Sequence, residues 1–173
     1  MPITPDTKDW TWVLDTPCAA CGFDATTFDA RTTGSAIRQN AASWLDVLRG
    51  SELQRRPSPE IWSPLEYACH VRDVFRLYDV RLMLMLTTDD PGYPNWDQDA
   101  TAIEEKYNDQ NPAQVSAELT AAAEQLAAHF DDVKDDQWLR TGNRSDGKRF
   151  TAESFARYMI HDPLHHLHDV GAT

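Results

Sequence analysis

The feature that most constrains the fold is the helix start at Ser63-Pro-Leu-Glu66. Ser63 is an N-cap, Pro64 has no N–H to lose at the first helical position, and Glu66 stands at the capping-box position. Nothing then breaks a helix before the turn formers of Asp89-Asp-Pro-Gly92, so the pattern predicts a helix to about Leu86. Its face of Tyr67, Val74, Leu77, Tyr78, Arg81 and Leu84 is mostly apolar, with His70 inside it. A helix of this length needs long partners to cover that face.

Three other stretches supply them. Ile37, Ala41, Trp44, Leu45 and Leu48 recur at helical spacing in a helix from Thr33 to Arg49, ended by Gly50. Asn111 and Pro112 open a third long helix carrying Val115, Leu119, Ala122, Leu126, Ala127 and Phe130. Thr151 caps the last one, which holds Phe155, Tyr158 and Met159. The fold class is all-α, an antiparallel four-helix bundle with long connecting loops. The connection around residues 87–110 predicts a topology other than a simple up-down series. It includes a turn-rich loop at Asp89–Trp96, suited equally to a pocket wall or a plain connector, and a short helix from Asp97 to Asn108. Residues 138–150 read as a crossing segment with a Ser-Asp-Gly turn, suited to a small hairpin. No repeat or boundary divides residues 1–173, so a single domain is expected. Pro2, Pro5 and Pro17 make residues 1–30 irregular, and the aromatic mass of Asp9-Trp-Thr-Trp-Val-Leu14 predicts that this segment packs across the bundle.

Composition narrows the function. A net charge of −12 would repel a phosphate backbone, which argues against nucleic acid or an anionic membrane as partner. No apolar run is long enough to span a bilayer, and the first residues carry neither the basic nor the apolar region of a signal peptide. Three cysteines, an odd number, make no disulfide framework; a reducing cytoplasm is the expected location.

Four of the six histidines fall between Tyr158 and Val170: His161, His165, His166 and His168. At about 100° per residue, His161 and His165 lie about 40° apart on one helix face, with His168 near them and His166 pointing elsewhere. An i, i+4 imidazole pair is how one helix gives two ligands to one ion. A bundle core takes further ligands from facing helices, and His70 is the imidazole that the second long helix offers. Asp162 and Asp169 are placed to orient such ligands. Each has a blander reading: His70 as a hydrogen-bonded core residue, the cluster as a solvated helix end. Pro163 predicts a kink between His161 and His165, which would either spoil the pair or aim it. His129 suits the end of its helix through the dipole.

Cys18-Ala-Ala-Cys21-Gly22 reads as half of a zinc knuckle whose other half is missing from the chain. Alone, it reads first as two small buried residues in a turn; a disulfide, or a meeting with a second copy, are the alternatives. A di-iron carboxylate site would need two Glu-x-x-His motifs, which the chain lacks. Cys69 beside His70 points about 100° away on a helix, a weak basis for a thiol nucleophile.

Trp62-Ser-Pro-Leu-Glu-Tyr-Ala-Cys-His70-Val-Arg-Asp73 resembles the second-helix motif of the DinB-like superfamily, and His161-Asp-Pro-Leu-His165-His resembles its C-terminal His-x-x-x-His motif. Lys8-Asp-Trp-Thr-Trp-Val-Leu14 and Cys18-Ala-Ala-Cys-Gly-Phe-Asp24 look like an actinobacterial branch of that group. The resemblance implies a four-helix bundle holding a divalent metal, zinc or nickel, on His70, His161 and His165. It also implies kinship with thiol-dependent transferases and the mycothiol-dependent maleylpyruvate isomerase. Three readings follow. The ion acidifies a low-molecular-weight thiol such as mycothiol for transfer or isomerisation on a small electrophile. Alternatively it activates water for hydrolysis. Otherwise the protein is a non-catalytic metal-binding or stress-response module, with His168 or a carboxylate closing the coordination shell. Tyr67, Tyr78, Arg81 and the loop near Tyr93 and Trp96 are the expected pocket walls. The expected partner is a small-molecule substrate; a homodimer through exposed apolar helix faces is compatible with all three readings.

Overall fold

The computed structural model describes residues 8–173; Pro2 and Pro5, and the expectation about a signal peptide read from the first residues, lie outside the described residues. Four long helices form the bundle: α1 (Thr33–Val47), α2 (Pro64–Thr87), α4 (Pro112–Asp131) and α5 (Ala152–Asp169). A short helix, α3 (Gln98–Glu104), lies in the long connection. The capping chemistry places the starts where the sequence does. Ser63 accepts from the Glu66 amide while Glu66 accepts from the Ser63 amide, Asn111 accepts from Ala113 and Gln114, and Thr151 accepts from Ser154.

α4 and α5 each pack against both α1 and α2, so α1 and α2 face each other across a diagonal. α4 and α5 likewise lie across the other diagonal, whereas α2 and α4, joined by the 88–111 connection, are neighbours, so the topology is not a simple up-down series. One continuous core fills the centre, with Trp44, Phe75, Leu82, Leu119, Leu126, Phe155 and Met159 fully enclosed. α1 and α4 approach closely at Gly34, where an added methyl would lie 2.9 Å from the Ala127 carbonyl oxygen and closer still to the Asp131 carboxylate. No helix among the described residues is long and apolar enough to cross a membrane.

The connections are more ordered than their turn-rich sequence suggests. β1 (Gly92–Tyr93) pairs in parallel with β2 (Thr141–Arg144), and β2 pairs antiparallel with β3 (Arg149–Thr151), with Gly147 at φ 88° in the turn. The expected hairpin is present, and the Asp89–Trp96 loop is strapped to it. Arg140 donates to the Met85 and Thr88 carbonyls at 2.6 Å each, capping the end of α2. Asn95 N–H donates to Ser145 Oγ at 2.8 Å. These bonds fix one wall of a cavity beside α5.

The Gly34 crossing generates a test. Gly34→Ala gains helix propensity of about 1 kcal/mol, yet pushes α1 off the α4 backbone, and overpacking costs typically about 1–3 kcal/mol. The urea midpoint is expected to fall at unchanged slope; an unchanged or raised midpoint would mean that the helices do not cross this closely.

Candidate metal centre

α2 is the helix most enclosed by the others, and its buried polar residues need partners. Three find them within the scaffold. Glu66 pairs with Arg56, Arg72 with Asp73 and Glu118, and Asp79 with Gln125 and His129. Of the other two, His70 faces α5 and Arg81 lines the cavity.

His70 is fully buried, stacked on Trp96 with ring centroids 5.3 Å apart and planes 4° from parallel. Its Nε2 lies 3.1 Å and 3.4 Å from the two carboxylate oxygens of Asp162, and its Nδ1 is buried with no hydrogen-bond partner. His166 completes the group. Its Nε2 is 3.7 Å from Asp162 Oδ1, its ring is 5.0 Å from that of His70, and Asp169 accepts from its Nδ1 at 2.8 Å. One donor atom from each of His70, Asp162 and His166 lies within 4.8 Å of the others. Burial alone would raise the Asp162 carboxyl; the facing His70 and His166 imidazoles outweigh it and hold the group well below the usual carboxylate range.

This donor set fits a divalent ion. Bonds of about 2.1 Å to nitrogen and oxygen leave ligand atoms about 3.0–3.4 Å apart, close to the separations of His70 and Asp162. Two imidazoles and one carboxylate suit zinc, nickel, iron or manganese. Asp162 and His166 open onto a cavity of about 630 Å³ that Tyr78, Arg81, Trp96, Arg144 and Tyr158 help to line, with His70 buried behind them.

The other expected ligands turn to a different neighbour. His161 and His165 stay paired across Pro163, with ring centroids 5.1 Å apart, because α5 runs unbroken from Ala152 to Asp169. They group with Cys18 and Cys21 rather than with His70. Among the described residues, His70, His161 and His165 do not come together within that distance. Asp162, expected to orient ligands, faces His70 directly, and His166, which the spacing turned away from His161, joins it. The signal for this second pair was available, since Asp162 and His166 are also i, i+4.

The remaining expected residues divide. Asp169 bonds to His166 and lies 3.7 Å from His165 Nε2. Tyr67 packs its ring 4.9 Å from His166, and burial pushes its hydroxyl up to about 12. Tyr78 and Arg81 line the cavity, and His168 is exposed. Trp96 lines the cavity, while Tyr93 lies under the Arg81 guanidinium, 4.7 Å from its ring centroid. Cys69 is enclosed and its thiol is pushed up to about 12 by burial, which leaves it no thiolate for nucleophilic chemistry.

Arg81 is 4% exposed, donates to the Pro94 carbonyl at 2.7 Å, and its Nε is buried without a partner. No carboxylate among the described residues lies within ion-pair distance of it.

Comparison with known proteins agrees with this architecture. The DinB superfamily matches residues 35–170, so the chain belongs to that superfamily. No curated protein matches the sequence. Among solved structures the fold is similar to one described as "YfiT from Bacillus subtilis is a probable metal-dependent hydrolase with an unusual four-helix bundle topology". The TM-score is 0.73 at 18% identity, over 83% of this chain and 85% of that one. At that identity the likeness establishes a shared bundle topology.

The buried imidazoles give a pH test. Burial, aided by neighbouring His165, lowers the His161 imidazole from 6.5 to about 4. In metal-free protein the unfolded chain therefore takes up this proton first as pH falls. Stability present above pH 6.5 is lost as pH falls to 4, by about 3 kcal/mol. Urea midpoints measured across that window are expected to drop, and His161→Gln to reduce the slope. The same slope in the variant would contradict the assignment.

Proposed function

With superfamily membership as the starting point, we propose that the protein is a metal-dependent hydrolase acting on a small ester or amide that bears a carboxylate. His70, Asp162 and His166 would hold a divalent ion. The observation that carries this reading is the convergence of two imidazoles and one carboxylate within 4.8 Å of one another, with Asp162 and His166 on the wall of a cavity of about 630 Å³. A three-ligand set facing open space leaves positions for water or substrate, as reactive rather than structural sites do. When bound, such an ion supplies Lewis acidity and lowers the pKa of a nearby water or thiol.

The protein's own groups do the rest. Asp169 fixes the His166 ring through Nδ1, directing Nε2 toward Asp162. Trp96 stacks on His70 and limits water on that side. Arg81, buried and without a carboxylate partner, supplies the charge that recognises an anionic substrate. The similarity to YfiT, described as a probable metal-dependent hydrolase with a four-helix bundle, supports this reaction class.

The second reading keeps the ion and replaces water with a low-molecular-weight thiol such as mycothiol. The cavity favours it in one respect: its volume, of about 630 Å³, is that of a site for a molecule larger than water.

The test is a panel of esters and amides, with and without a carboxylate, assayed with and without added thiol. Hydrolysis without thiol is expected. His166→Ala and Asp162→Ala should lose turnover and the ion held by His70, Asp162 and His166. Arg81→Met should raise KM for carboxylate-bearing substrates about 10–100-fold and leave neutral ones unchanged. Turnover that requires a thiol would replace hydrolysis with transfer; metal-independent turnover would overturn both.

A further inference from the structure

The half knuckle at Cys18 and Cys21 finds its other half in space. The Gly22 amide donates to the Cys18 carbonyl at 2.8 Å and the Cys18 amide to the Phe23 carbonyl at 2.9 Å, with Gly22 at φ 76°. This tight turn presents both thiols to one side, and α5 brings His161 and His165 to meet them. One donor atom from each of the four lies within 4.8 Å of all the others.

The distances suit a tetrahedral ion. Zinc bonds of about 2.3 Å to sulfur and about 2.05 Å to nitrogen set a sulfur–nitrogen edge of about 3.6 Å. Cys18 Sγ and His165 Nδ1 are 3.6 Å apart. The other His165 nitrogen, Nε2, faces Asp169 at 3.7 Å, the carboxylate–imidazole arrangement typical behind a metal ligand. His161 is 4% exposed, and its buried Nε2 has no hydrogen-bond partner. A plain turn with two small buried thiols leaves that nitrogen unsatisfied; a fourth ligand bond satisfies it. The cysteines are free thiols, and the aromatic rings of Trp10 and Phe23 lie within 5.3–5.8 Å of the two imidazoles, forming a largely apolar cover. The superfamily match begins at residue 35, after both cysteines, so this pairing belongs to the N-terminal segment of this chain.

We propose that Cys18, Cys21, His161 and His165 form a closed tetrahedral site for zinc, separate from the group around His70, that clamps the N-terminal segment onto α5. All four positions are filled by protein, so the site is structural. His161 and His165 line the cavity together with Trp10, so the clamp shapes one wall of the pocket.

Cobalt in place of zinc reads the ligands directly. The reduced wild-type protein loaded with Co²⁺ is expected to show thiolate-to-cobalt charge transfer in the near ultraviolet and the strong visible bands of a tetrahedral ion. Cys18→Ser/Cys21→Ser should abolish the charge transfer, and His70→Ala should keep it. Absence of the charge-transfer band in the wild type, its persistence in the cysteine variant, or its loss in His70→Ala overturns the proposal. Should the cysteine variant fail to fold, zinc-loaded wild-type protein titrated with a mercurial provides the second measurement. About one equivalent of zinc released as the thiols react is expected; thiol modification without release overturns it. Neither readout depends on hydrolysis, so failure of the proposed reaction would leave this result standing.

Discussion

An α-helix turns by about 100° for each residue, and the site depends on that rotation. Two i, i+4 pairs on α5, offset by one residue, must face different neighbours. His161 and His165 face the N-terminal segment, with Trp10 5.7 Å and 5.3 Å away. Asp162 and His166 face α2 and His70. Both pairs require a helix that stays continuous across Pro163. The proline removes one N–H, but the turn holds, and Asn40 on α1 donates to the Pro163 carbonyl at 2.9 Å, tying the segment to the core.

α2 provides the complementary constraint. A helix enclosed by neighbours cannot leave polar groups unanswered, and most of its buried charges are answered by scaffold pairs. His70 and Arg81 are the exceptions, one meeting Asp162 on α5 and the other lining the cavity, stacked on Tyr93 and Tyr78. The hairpin and the strapped loop then wall the space between α2 and α5. Scaffold and chemistry are thus joined: the bonds that end α2, from Arg140, belong to the same connection that closes the pocket.

The parts legible in sequence are those with local causes. Ser63-Pro64 and Asn111-Pro112 mark helix starts because capping involves residues two or three apart. The diagonal topology was less legible: the long 88–111 connection joins the neighbours α2 and α4, and the diagonal steps are made by the segments 48–63 and 132–151. β1 was not legible: two residues carry no period, and pairing with β2 about fifty residues later is a tertiary event. The same limit separates the histidines. Spacing identifies His161 with His165 as a pair, and equally Asp162 with His166, but which pair meets His70 depends on how α5 is rotated against α2. Cys18 and His165 are 147 positions apart, so the turn at Cys18–Gly22 reads as half a site until the fold closes it.

The central claim is that α5 presents two separate ligand groups on two faces. The most direct measurement is an anomalous difference map, at the metal's absorption edge, from crystals of the metal-loaded protein. Two peaks are predicted, one among Cys18, Cys21, His161 and His165 and one among His70, Asp162 and His166. A single peak shared by His70, His161 and His165 would contradict it.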